Sequence, residues 1–219
     1  MVSVLASMAM RGVLAELTLG QATLEAVGGV DAARRVRAGK IVDVVVLADG
    51  PMRALEADGF LLPGSLAPVA VSAIALAVRT GDAWPDLADA EAVRRAIQAA
   101  GRVGYSTGPS GDHLLRLLDQ WGLRHTLGDR LVQAPPGVPV GRLLVDGAVD
   151  LAVQQTSELM GVAGITVVGP LPPDIQVETV FTAGIATTCR TPDTAHRFIA
   201  VLTAGDAIAI KGRHGMVAP

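Results

Sequence analysis

Short apolar runs alternate with stretches of helical periodicity along the first sixty residues. Val2 to Ala6 reads as a strand. Ser7 follows as a good N-cap, and Val13, Leu14 and Leu17 then recur at helical spacing. Gln21 to Val27 is a second strand, ending in Gly28-Gly29. Val30 to Ala38 is an amphipathic helix stopped by Gly39. Asp43 to Ala48 is a buried strand, Pro51 stands at a first helical position, and Met52 to Asp58 is a short helix. This β-α-β-α-β-α series predicts a parallel sheet covered by helices.

Two later segments break the rhythm. Leu66 to Arg79 and Ile175 to Thr188 are long, β-branched apolar runs, too long for one ordinary strand. They predict hinge strands near 66–79 and 174–188 that cross between two α/β lobes. Lobe 1 would hold residues 1–72 plus 178–219, and lobe 2 residues 78–172. Between the runs the alternation resumes. Thr80 to Asp86 is a loop, Asp89 to Ala100 a helix and Arg102 to Tyr105 a strand. Ser106 to Gly111 is a glycine-rich turn into a helix that opens near Ser110 and carries Leu114, Leu115, Leu117 and Leu118 on one face. Leu131 to Gln133, Asp150 to Val153 and Ile165 to Val168 are strands, with helices at Val140 to Asp146 and Thr156 to Met160. Helices at Thr191 to Leu202 and Asp206 to Lys211 close the chain. The fold class is therefore α/β and two-lobed, with a ligand cleft between the lobes.

Composition narrows the function classes. Half of the 219 residues are hydrophobic but only 3% are aromatic, so the cores are built from Ala, Val, Leu and Ile. A net charge of −3 gives no basic footprint, which excludes nucleic acid as an expected partner. No apolar run approaches the ~18 residues of a membrane helix, so no membrane insertion is expected. The chain as written opens without an export signal, as a cytoplasmic protein would, or as a periplasmic one would after its leader is removed. The single cysteine, Cys189, cannot form an internal disulfide. The histidines are dispersed, so no metal site and no cofactor are expected.

The candidate chemistry lies in the turns after strands. A helix start leaves backbone N–H groups unpaired and carries partial positive charge, which suits an anion. Ser7, Met8, Gly28, Gly29, Asp49, Ser106, Thr107, Ser110, Gly111, Val138, Gln154 and Gln155 are the candidate ligand-binding residues on these turns. The expected grip is the Ser110 hydroxyl and the Gly111 N–H, completed by Ser7. Arg79 and Arg142 are the nearest expected cations. Glu158 and His113 are candidate acid–base residues if the protein is an enzyme. Their ordinary readings are a solvated helix-start carboxylate and a surface helix histidine.

The chain resembles the type II periplasmic solute-binding proteins, in particular the molybdate-binding branch. Leu5-Ala-Ser-Met-Ala9 is similar to that branch's first-strand serine turn, and Val42 to Asp49 to its "ADVFISAD" segment. Gly108-Pro-Ser-Gly111 is similar to its second anion-facing helix start, and Val140 to Ala152 to its "lVasGeaDaG" stretch. Two departures stand out. Gly28-Gly29 replaces a second serine, and Gln154-Gln155 stands where a tyrosine is usual. Each removes a hydroxyl donor, which argues against molybdate. Glycines let a larger ligand approach, and glutamines both donate and accept, which suits a polycarboxylate.

The resemblance implies a binding protein for a small organic oxyanion, with an ABC transporter as partner if the protein is exported. The same branch includes aconitate isomerase, so the alternative is an enzyme shifting a proton between trans- and cis-aconitate. A ligand-sensing cytoplasmic protein is the third reading.

Overall fold

The computed structural model describes all residues from Met1 to Pro219. In chain order its first elements are β1 (Val2–Ser7), α1 (Arg11–Thr18), β2 (Ala22–Val27), α2 (Gly29–Arg37), β3 (Val44–Ala48), α3 (Asp49–Ala57) and β4 (Ala67–Ser72). Next come β5 (Ile74–Arg79), α4 (Ala90–Ala99), β6 (Val103–Tyr105), α5 (Pro109–Gln120), α6 (Arg124–Leu127) and β7 (Leu131–Gln133). They are followed by α7 (Val140–Val145), β8 (Leu151–Gln155), α8 (Thr156–Leu159) and β9 (Ile165–Pro170). The chain closes with β10 (Thr179–Ile185), α9 (Pro192–Thr203), α10 (Ala207–Arg213) and β11 (Met216–Val217).

The chain divides into two compact units, Met1–Ser72 with Thr179–Pro219, and Ala73–Glu178. In the first unit the sheet order is β11-β4-β10-β3-β1-β2. β1 is parallel to β2 and β3, while β10 runs antiparallel to β3 and β4. Continuous burial along Val44–Leu47 reflects helices on both faces of the sheet. One layer packs Val4, Val46 and Ile185 against α1 and α9. The other packs Leu5, Val45 and Leu47 against α2 and α3. Helix α2 turns Ala32, Ala33 and Val36 inward and three arginines outward, and Gly39 at φ 82° ends it in the left-handed region.

In the second unit the sheet order is β7-β6-β8-β5-β9. β6 is parallel to β7 and β8, and β5 is antiparallel to β8 and β9. Leu151 and Val153 face α5 through Leu114, Leu117 and Leu118. Ala152 faces the opposite layer with Val140, Leu144 and Leu159 of α7 and α8. The alternation of strand residues between two covered faces follows from the period of two.

Several boundaries depart from the sequence expectation. The run Leu66 to Arg79 is two strands broken at Ala73, one in each sheet. The second run becomes strand only at Thr179. Ahead of it, the Gln176 side chain acts as a surrogate backbone: its Oε1 accepts from the Ile74 N–H at 3.0 Å, and its Nε2 donates to the Ile74 carbonyl at 2.9 Å. Helix α3 opens at Asp49, which places Pro51 in its first turn as the third residue. Ser7 precedes a one-turn 3-10 helix, Met8–Met10, yet its hydroxyl makes no cap, and α1 begins only at Arg11.

Candidate anion-binding turns

In the first unit the parallel strands β1, β2 and β3 end at one edge, and each leads directly into a helical turn. Ser7, at the end of β1, is buried, and its Oγ has no hydrogen-bond partner. An unpaired buried hydroxyl costs roughly 1–3 kcal/mol, so this group is a standing invitation to an acceptor. In register beside it, β2 ends at Val27 and runs into Gly28-Gly29. A Cβ at Gly28 would meet nothing within 4 Å, and one at Gly29 would lie 3.9 Å from the Ser7 Cβ. The two glycines leave room next to the unpaired hydroxyl. Met8 is half-buried on the same turn.

Asp49 opens α3 at the end of β3. Its Oδ1 accepts from Thr182 Oγ1 at 2.9 Å, and its Oδ2 pairs with Arg53 at 2.6 Å. Arg53, helped by Thr182, holds the carboxyl below its usual range against the opposing effect of burial. Thr182 was not visible as a site neighbour in the sequence, because β10 reaches β3 from more than a hundred residues away.

In the second unit β6, β7 and β8 likewise end at one edge. The turn after β6 folds on itself: Ser106 Oγ and Ser110 Oγ lie 3.0 Å apart, and the Gly108 N–H donates to Ser106 Oγ at 3.3 Å. Ser110 is buried, while Thr107 is half-buried. The expected Gly111 N–H is already spent on the Gly108 carbonyl at 2.9 Å. Gly111 serves packing instead, since a Cβ there would lie 1.8 Å from the Ser106 carbonyl oxygen. The open donor in this turn is the Ser110 N–H, in the first turn of α5, where no intrahelical acceptor exists.

The turn after β7 spends the Val138 N–H on the Pro135 carbonyl at 3.0 Å. Two residues on, the Val140 N–H donates to Gln154 Oε1 at 2.8 Å. Gln154, buried on β8, also donates from Nε2 to Glu158 Oε2. Gln155 is buried and stands opposite Ile74 of β5.

Glu158 is not a solvated helix-start carboxylate. Loss of water pushes its pKa up to about 7, and the Gln154 hydrogen bond offsets only part of that. His113 is not a surface histidine either. It is buried, and its Nε2 lies 2.7 Å from the Ile175 carbonyl oxygen. A carbonyl only accepts, so Nε2 holds the proton and that nitrogen is not available as a base.

The two expected cations are elsewhere. Arg79 sits at the far end of β5, close to Asp82, Asp150 and the Leu144 carbonyl. Arg142 turns to Asp146. The donors these turns offer are hydroxyls and backbone N–H groups. No three His, Cys, Asp or Glu side chains converge as a metal site would need.

Each of the two units carries strand-end turns rich in hydroxyl and N–H donors, and the chain has the fold of the two-unit solute-binding proteins. The chain belongs to the family of bacterial extracellular solute-binding proteins, which it matches over residues 3–217. Its fold is shared by the periplasmic molybdate-binding protein of Azotobacter vinelandii, with a TM-score of 0.81, 21% identity and full coverage of both chains. PEB3 with bound L-phospholactate gives a TM-score of 0.74 at 14% identity, again over both whole chains. In sequence the chain is 31% identical over 168 residues to an aconitate isomerase from Pseudomonas sp., covering 75% of this chain and 63% of that protein. No helix is long and apolar enough to cross a membrane.

Proposed function

We propose that the protein is a solute-binding protein whose ligand is a small organic oxyanion, a polycarboxylate. The observation that carries this is the buried Ser7 hydroxyl without a partner, beside the open Gly28-Gly29 turn. A donor left unpaired in the folded chain gains most from a ligand oxygen, and charge-assisted bonds of this kind contribute about 1.5–3 kcal/mol each. The space at Gly28-Gly29 favours a ligand larger than a tetrahedral oxyanion. If the protein is exported, an ABC transporter is its natural recipient. The test is calorimetry of the purified protein against trans-aconitate, cis-aconitate, citrate, tricarballylate and molybdate. Tight binding of a tricarboxylate with weak molybdate binding is expected. Failure of every carboxylate to bind would refute the proposal.

A second reading is supported by Glu158 and by the similarity to an aconitate isomerase. A carboxyl that titrates near neutrality is suited to take a proton from the methylene carbon of trans-aconitate and to return one at the other end of the allylic system. The double bond shifts as the proton moves, and no redox partner is needed. Chromatography of trans-aconitate incubated with the protein decides this. Appearance of cis-aconitate that is lost in Glu158→Gln establishes the isomerase, and its absence leaves the binder.

A further inference from the structure

We propose that Glu158 is a specificity-determining group that meets the bound oxyanion as a neutral acid, so that ligand binding takes up a proton. This rests on the oxyanion-binding reading above and names the protonation chemistry of that site.

The argument starts from what surrounds the carboxyl. Glu158 lies on the one-turn helix α8, directly after the edge where β8 ends. Its only hydrogen-bond partner is the neutral amide of Gln154, which reaches Oε2. That amide cannot swing away, because its oxygen is held by the Val140 N–H at 2.8 Å. Oε1 has no partner in the protein.

No cation compensates the charge. Helix α8 packs on β5, β8, β9 and α7. Strands β8 and β9 carry no charged residue. The one charged side chain of β5, Arg79, is engaged by Asp82 and the Leu144 carbonyl, and the one on α7, Arg142, by Asp146. A carboxyl with a single neutral donor and no counter-ion is already easy to protonate, in keeping with a pKa of about 7.

An anion bound at the same sheet edge adds a like charge. A like charge at short range disfavours the ionised carboxyl further. The carboxyl therefore binds its proton as the ligand arrives, and the new O–H can donate from Oε1 to a ligand oxygen. A site so built favours oxyanions that accept, such as fully ionised carboxylates, over ligands that present only donors.

The linkage has a definite sign. Above pH 7 the free protein must gain a proton in order to bind, so affinity falls as pH rises, approaching tenfold per unit. Below pH 6 the carboxyl is already neutral and the dependence on Glu158 vanishes.

Trans-aconitate is the probe. Calorimetry at pH 7.5 in buffers of different ionisation enthalpy should show uptake of more than half a proton per ligand by the unaltered protein. Between pH 6 and 8.5 its Kd should rise at least tenfold more than that of Glu158→Gln. The titration of trans-aconitate itself is common to both proteins, so the difference isolates Glu158. Equal pH slopes together with no proton uptake would overturn this inference and leave the oxyanion reading intact. If neither trans-aconitate nor any other carboxylate binds, the oxyanion reading itself fails and takes this inference with it. The uptake measurement needs no substitution, so a Glu158→Gln protein that fails to fold does not remove the test.

Discussion

Gly111 and the Ser106 carbonyl oxygen are packed so closely that a Cβ on Gly111 would come within 1.8 Å of that oxygen. The oxygen is backbone and cannot rotate aside. The turn that presents Ser106 and Ser110 is therefore shaped by the absence of one methyl group. Gly111→Ala must push the turn off the start of α5, an overpacking cost of about 2 kcal/mol or more. A fall of roughly 5 °C or more in melting temperature is expected. An unchanged melting curve would show that the turn is looser than the packing implies.

Ser7 makes the opposite prediction for stability. Its hydroxyl is buried and unpaired, so Ser7→Ala removes a desolvated donor and should leave the ligand-free protein as stable or slightly more stable. Binding of trans-aconitate should nonetheless weaken about ten- to a hundredfold. Ser110→Ala should weaken binding as well, and with a small loss of stability, because its hydroxyl is already bonded to Ser106 at 3.0 Å. Ligand-induced melting shifts measure both effects in one experiment. A full ligand shift in either variant would remove that hydroxyl from ligand binding.

The half-buried, desolvated Glu158 should make stability depend on pH even without ligand. An unfolded Glu titrates near ~4.3, so at low pH both states hold the proton and burial costs nothing. As pH rises from there to about 7, the unfolded state ionises freely while the folded one resists, and stability falls. A pKa raised from ~4.3 to about 7 sets an upper bound of about 4 kcal/mol, reduced by the part of the side chain that water still reaches. Melting curves of Glu158→Gln and the unaltered protein should therefore separate progressively between pH 4.5 and pH 8, with the variant more stable at the alkaline end. Parallel curves across that range would mean the carboxyl is well solvated.

Molybdate should bind weakly. The first unit offers one serine hydroxyl where the Gly28-Gly29 turn leaves open space, and Gln154 is committed to Val140 and Glu158. A compact tetrahedral anion there finds few hydroxyl donors to replace its water. Calorimetry giving a sub-micromolar Kd for molybdate would contradict the role assigned to the glycines.

Much of this was legible in the chain because apolar runs mark strands buried on both faces. Val44 to Leu47 needs no structure to be read as a central strand, and the turns at Gly28-Gly29 and Ser106 to Gly111 announce themselves by composition. The end of one strand and start of another at Ala73 was not read from the run, since a single small polar residue, Ser72, is all that interrupts it there. The structural signal is the distant Gln176, whose amide replaces a neighbouring strand for Ile74. The same limit hid Thr182 beside Asp49 and the burial of His113 against Ile175, for each depends on a partner far along the chain. Ser7 lies on the expected turn but does not cap the helix there, because sequence cannot tell a capping hydroxyl from an unpaired one.

The interleaving of the two units has a consequence for how the protein is made. Residues 73–178 form a closed set whose strands pair only with one another. Strand β4, by contrast, lies between β10 and β11, both from the final stretch of the chain. During synthesis the middle of the polypeptide can complete its sheet while β4 still waits with exposed edges for partners not yet translated. Until β10 and β11 emerge, the unpaired edges of β4 are open to wrong pairing, the hazard that chaperones guard against.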